Sequence, residues 1–146
     1  MATTATEPTR RTAHTEVRPG DRALQWGALF FAAGAVWHNY DHVHRGAGTI
    51  SAQLRTIGIA GSVLTAIVVV LMLVRHPRAP QAALIGGLVL GLGFIGAHWL
   101  PTWSVFSDSF VDGHVSAVTK AASLTEIAGA FVAAGTGYFV LRLRRS

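Results

Sequence analysis

The chain has 146 residues, of which 51% are hydrophobic and only 13% charged, whereas an ordinary soluble domain carries roughly 25% charged residues. Cys is absent, which excludes disulfides, CxxC redox chemistry, iron–sulfur clusters and thiolate zinc sites. The net charge of +5 does not argue for nucleic acid, because the Lys and Arg residues stand at the ends of apolar blocks and form no groove-lining pattern.

Residues 1–22 (MATTATEPTRRTAHTEVRPGDR) are rich in Thr, Arg and Pro and offer almost nothing to a core, so they read as a disordered tail. The apolar block after them has no small-residue cleavage site, and it is expected to be an anchor and not a removable signal. Four blocks follow, at residues 24–42, 57–74, 82–100 and 124–143, each close to the ~20 residues that cross a bilayer core. Their apolar residues run on without the alternation of period 2 or 3.6 that marks half-buried elements. The expected fold is therefore all-α: a four-transmembrane-helix bundle over residues 23–146, multi-pass in the cell membrane, with the lipid bilayer as its partner.

Blocks two and three are joined by RHPRAPQ (75–81), whose prolines and arginines stop one helix and start the next. Blocks three and four are joined by residues 101–123, which are expected to start helix four early as an amphipathic overhang, with Ser107 or Asp108 as N-cap. Basic residues give the orientation. Arg10, Arg11, Arg18, Arg22, Arg75, Arg78, Arg142, Arg144 and Arg145 fall on one side, and Arg45, Arg55 and Lys120 on the other. Cytoplasmic segments carry the excess of Lys and Arg, so both termini are expected in the cytoplasm.

The chemistry gathers at the other face. Block one ends in WHNYDHVHRG, where ~100° per residue puts His38, Asp41, His42 and Arg45 on one helical face and turns His44 elsewhere. That face continues back through Gly34, Phe31 and Gly27, and small residues mark where membrane helices pack closely. In block three His98 shares a face with Gly87, Gly91 and Phe94; in block four Glu126 shares one with Gly129, Ala130, Ala133 and Gly137. Block two supplies Gly58, Gly61, Ser62 and Thr65 and no titratable group. Three helices thus present an ionisable residue at similar depth on the face expected to be interior, where such groups are costly and usually paired or functional.

Histidines at i and i+4 can bind one ion, and a third His and a carboxylate from neighbouring helices complete a four-coordinate set. His38, His42, His98 and Glu126 are the expected metal ligands. Asp41, Asp108, Asp112 and His114 are alternative ligands or outer partners, Asp41 as an acceptor that fixes a histidine tautomer. Arg45 is placed either to steer an anionic substrate or to cap its helix. With no Cys and only two Met, soft Cu(I) chemistry is disfavoured, whereas imidazole and carboxylate suit Zn, Cu(II) or Fe without ranking them.

Four functions fit this pattern: a metal-binding protein acting as a metal-dependent oxidoreductase; a b-type haem carrier with His38 and His98 as axial ligands; a proton- or ion-coupled transporter subunit using Asp41, Glu126 and the histidines; and a structural or assembly protein. Plainer readings stand beside them. Trp26, Trp37, Tyr40, Trp99 and Trp103 lie near span ends, as in an interfacial aromatic belt that also accommodates His. Glu126 can serve as a helix N-terminal charge, and His14 and His76 as solvated residues. GLGFIG (91–96) matches GxGxxG but follows no strand, so it is no dinucleotide motif. Gly87 and Gly91 read instead as a packing face, within the chain or in a homo-oligomer.

Overall fold

The computed structural model describes residues 17–46, 48 and 50–146. Residues 1–16 of the expected tail, with Arg10, Arg11 and His14, lie outside the described residues. Four helices run in chain order: α1 (Asp21–Arg45), α2 (Ala52–Leu73), α3 (Ala79–His98) and α4 (Ala117–Leu143).

Each helix end has a local cause. Gly20, at φ 84°, turns the chain into α1, and the Arg18 amide donates to the Asp21 carboxylate, which thereby closes the first turn. Asp21 and Arg22, the last residues of the expected tail, form the start of α1, and Asp21 is buried. Gly46, at φ 92°, ends α1, its amide reaching the carbonyls of His42 and Val43. Ser51 and Ser116 cap α2 and α4 by accepting from the amides of Leu54 and Thr119. Helix four therefore starts at Ala117, not at Ser107 or Asp108. The reason lies in α3, whose last carbonyls, at Ala97 and His98, accept from the amides of Asp108 and Phe110. Residues 99–116 are pulled back over the end of α3 to make those bonds and cannot also continue a helix.

The helices form a ring in which α1 and α3 each contact both α2 and α4. Glycines set the closest approaches. A Cβ on Gly34 would stand 2.8 Å from the backbone of Glu126, and one on Gly129 would stand 2.7 Å from the Phe31 Cα, so α1 and α4 meet backbone to backbone. Gly87 against Ala130 and Ala134, and Gly137 against Pro80 and Leu84, bring α3 onto α4 in the same way. The glycine faces expected to serve contacts within or between chains are used inside this one.

The packed core, including Leu24, Phe31, Val68, Met72, Ala83 and Ala130, fills the half of the bundle nearer the termini. That end is closed by an ion pair from Arg144 Nη2 to Asp21 Oδ1 at 2.8 Å. The outer surface is apolar, with Trp26, Val36, Ile59, Ile67, Val70 and Phe139 exposed.

Among the described residues, three helices are long and apolar enough to cross a membrane: α2, α3 and α4. Four were expected. α1 has the length, at 25 residues, but Gln25, His38, Asn39, Asp41 and His42 dilute its apolar run. Most of those residues lie in its last two turns, where the candidate site is built.

Candidate metal centre

α1 and α3 run in the same direction, so their C-terminal ends lie together, and α4 begins beside them. This brings His38 and His42, one turn apart on α1, against His98 at the end of α3. The three rings touch: centroids are 4.5 Å apart for His38–His42, 5.0 Å for His38–His98 and 5.6 Å for His42–His98. One ligand atom from each lies within 4.8 Å of the other two. His38 and His98 are 4% exposed, which removes them from the water that would otherwise hold their nitrogens.

Glu126, 2% exposed, enters from α4, and its Oε2 stands 3.7 Å from His38 Nε2. The closeness follows from Gly34, one turn below His38, which lets the α4 backbone at Glu126 against α1. Among the described residues, Glu126 Oε2 and His38 Nδ1 have no hydrogen-bond partner. Buried polar atoms are nearly always satisfied, so an unpartnered carboxylate oxygen beside three imidazoles is the mark of a site that takes a cation or a donor.

A second layer holds the rings. His98 Nδ1 lies 3.1 Å from the carbonyl of Asp108, which accepts from an Nδ1–H and so leaves Nε2 as the free lone pair. Phe110 stacks on the same ring at 4.6 Å and is itself buried. Arg45 Nη2 donates to Asp108 Oδ2 at 2.8 Å and to His42 Nδ1 at 3.0 Å, and its Nε stands 3.2 Å from Asp41 Oδ2. Asp41 Oδ1 accepts from the Thr119 hydroxyl at 3.0 Å. This layer departs from expectation at three points. Arg45, expected to steer an anionic substrate or to cap its helix, is enclosed by the carboxylates of Asp41 and Asp108. Asp41 binds Thr119 and Arg45 and makes no hydrogen bond to a histidine; the Asp108 carbonyl and Arg45 orient the rings instead. Asp108 closes over the site, whereas Asp112 and His114 are exposed on the loop and do not join it.

Asp112 acts within the loop. Its carboxylate accepts from the Thr102 amide at 2.5 Å, and that bond holds its pKa below the ordinary value of 3.8. His44 is exposed and stacks on Tyr40, off the site as the helical spacing implied.

No family model matches the chain, and no curated protein or solved structure matches it either.

Phe110 and Thr119 were not identified from sequence as parts of this centre. Phe110 stands between Asp108 and Asp112, but Trp103 and Phe106 share its loop and stay exposed, so nothing local singles it out. Thr119 gave no signal either, since its role depends on where α4 starts.

The ring contacts also bear on haem. His38 and His98 touch at 5.0 Å and leave no slot for a macrocycle between them, so axial ligation by this pair requires the helices to separate.

Proposed function

We propose that this chain is an integral membrane protein of the cell membrane that binds a transition-metal ion through His38, His42 and His98, with Glu126 as the adjoining carboxylate. One observation carries the reading: three imidazoles converge within 4.8 Å of one another, with an unpartnered buried carboxylate oxygen 3.7 Å from one of them. Such a set has the nitrogen and oxygen donors and the buried, pre-oriented rings that Zn, Cu(II) or Fe prefer. The excess of basic residues at the far end of the helices supports a topology with both termini in the cytoplasm and the centre near the extracytoplasmic face.

The metal, when bound, supplies Lewis acidity or, as iron or copper, electron transfer, and the second of these makes the protein a metal-dependent oxidoreductase. The chain's own contribution is orientation. Asp108 fixes the His98 tautomer, Phe110 covers the ring, and Glu126 offers a buried carboxylate beside them.

Element analysis of the purified full chain tests the reading. A stoichiometric transition metal is expected in the wild type, strongly reduced by His38→Ala and by His98→Ala and retained by His44→Ala. Absence of metal from the wild type after incubation with Zn²⁺, Cu²⁺ and Fe²⁺ overturns it.

A second reading has its own observation. His42, His38 and Glu126 form a line with steps of 3.0 and 3.7 Å, a path along which a proton can be held or passed. The core beyond Glu126 is packed with apolar side chains, so a relay would serve a reaction at this end and not transport across the bundle. Unchanged proton uptake in Glu126→Gln removes it.

A further inference from the structure

Beside the histidines lies a cleft of about 680 Å³ between α1, α2 and α3. It exists because α2 is held off its neighbours: Gly58 and Gly93, facing into it, have nothing within 4 Å of where a Cβ would stand. Its walls are mostly apolar, with Leu54, Ile57 and Val89 among them and Asn39, Arg55 and Ser62 as the polar members, and His38, His42, His98 and Glu126 also line it. The loop route to the same centre is shut, because Phe110 stacks on His98 and the Arg45–Asp108 pair closes over both. Access therefore runs sideways between helices whose outer faces are apolar.

We infer that the cleft binds a single-chain amphiphile with a hydroxyl head, entering from the lipid, with its hydrocarbon chain against α2 and α3 and its hydroxyl at Glu126. The inference rests on the reading of the histidine cluster as the working end of the molecule, and it adds the class of molecule that reaches it. The volume lies within the roughly 300–1,000 Å³ of small-molecule sites. The head chemistry follows from Glu126, which is 2% exposed and whose Oε2 lacks a donor. A hydroxyl supplies that partner, whereas a bare alkane would leave the oxygen unsatisfied.

Photolabelling of the full chain in phosphatidylcholine vesicles, with a dodecanol bearing a diazirine on its chain, tests this. Label is expected on residues of α2 and α3 that line the cleft, with at least fivefold protection by excess dodecanol and by a dodecyl hydroquinone, and none by dodecane. The stronger of the two protectors tells an aliphatic from a phenolic hydroxyl. Gly58→Leu and Gly93→Leu, which add bulk only to open space, are expected to cut labelling at least fivefold while leaving metal content unchanged. Equal protection by dodecane, or undiminished labelling in both leucine variants, overturns the proposal. Metal content on the same samples keeps the two readings apart: label without metal in the wild type upholds the cleft and removes the metal centre, and metal without protected label does the reverse.

Discussion

His38 Nε2 and His42 Nε2 face each other at 3.0 Å, and the other nitrogen of His42 is held by Arg45. Arginine can only donate, so His42 Nδ1 is an acceptor, and the neutral ring carries its proton on Nε2. That proton points at His38, which accepts on Nε2 and keeps its own proton on Nδ1. Without metal, the two facing nitrogens are thus a donor and an acceptor. For His42 to ligate through Nε2, the proton must move to Nδ1, and Arg45 must release that atom while keeping Asp41 and Asp108.

This assignment is measurable. Long-range nitrogen–proton correlation spectra of the labelled, metal-free protein are expected to show His42 protonated on Nε2 and His38 on Nδ1. Addition of Zn²⁺ is expected to exchange the tautomer of His42 and leave His98 on Nδ1–H throughout. A His42 already carrying its proton on Nδ1 before metal is added contradicts the geometry.

The glycine contacts predict a contrast within one helix. Gly87→Ala drives a methyl into the Ala130–Ala134 backbone of α4 and is expected to destabilise the protein by about 1–3 kcal/mol, the usual cost of overpacking. Gly93→Ala, six residues on, meets nothing within 4 Å and is expected to be neutral or slightly stabilising. Thermal unfolding of the two variants in the same detergent measures the difference.

At the terminal end, Asp21 is 2% exposed and bonded to Arg144. Asp21→Ala leaves that guanidinium with little compensation and is expected to cost roughly 3 kcal/mol, the lower end of the range for breaking a buried pair, since Arg144 keeps some contact with solvent. Replacing both residues by Leu is expected to restore most of the loss. A double variant no more stable than Asp21→Ala shows that the pair is not what is being measured.

The loop offers a pH test. The Asp112 carboxyl titrates below its ordinary value because its charged form accepts from the Thr102 amide. A group whose folded pKa is depressed lends stability that is fully present above its unfolded pKa and lost as pH falls through the folded one. Amide exchange over residues 99–116 is therefore expected to be faster in Asp112→Ala than in the wild type at neutral pH. The two rates are expected to converge as pH drops below 3.8.

The sequence alone determined the number and order of the helices, because a run of apolar residues near bilayer length is a local property that no distant contact can undo. It also determined that His38 and His42 share a face and that His44 does not, since helical pitch settles both. Gly34, Gly87 and Gly129 pointed to the helix faces that pack. The gathering of His98 and Glu126 with the α1 pair depended on those faces meeting, and the tertiary structure brought His98 into contact with both histidines and Glu126 beside one of them.

What only the tertiary structure decided lies in residues 99–116. The amides of Asp108 and Phe110 must satisfy the end of α3, and that draws a carbonyl to His98, an aromatic ring over it and a carboxylate to Arg45. These partners are 10 to 63 residues from the groups they hold, so no local pattern announces them. The same return of the chain displaced the start of α4 and laid Phe110 and the Arg45–Asp108 pair over the loop side of the histidines.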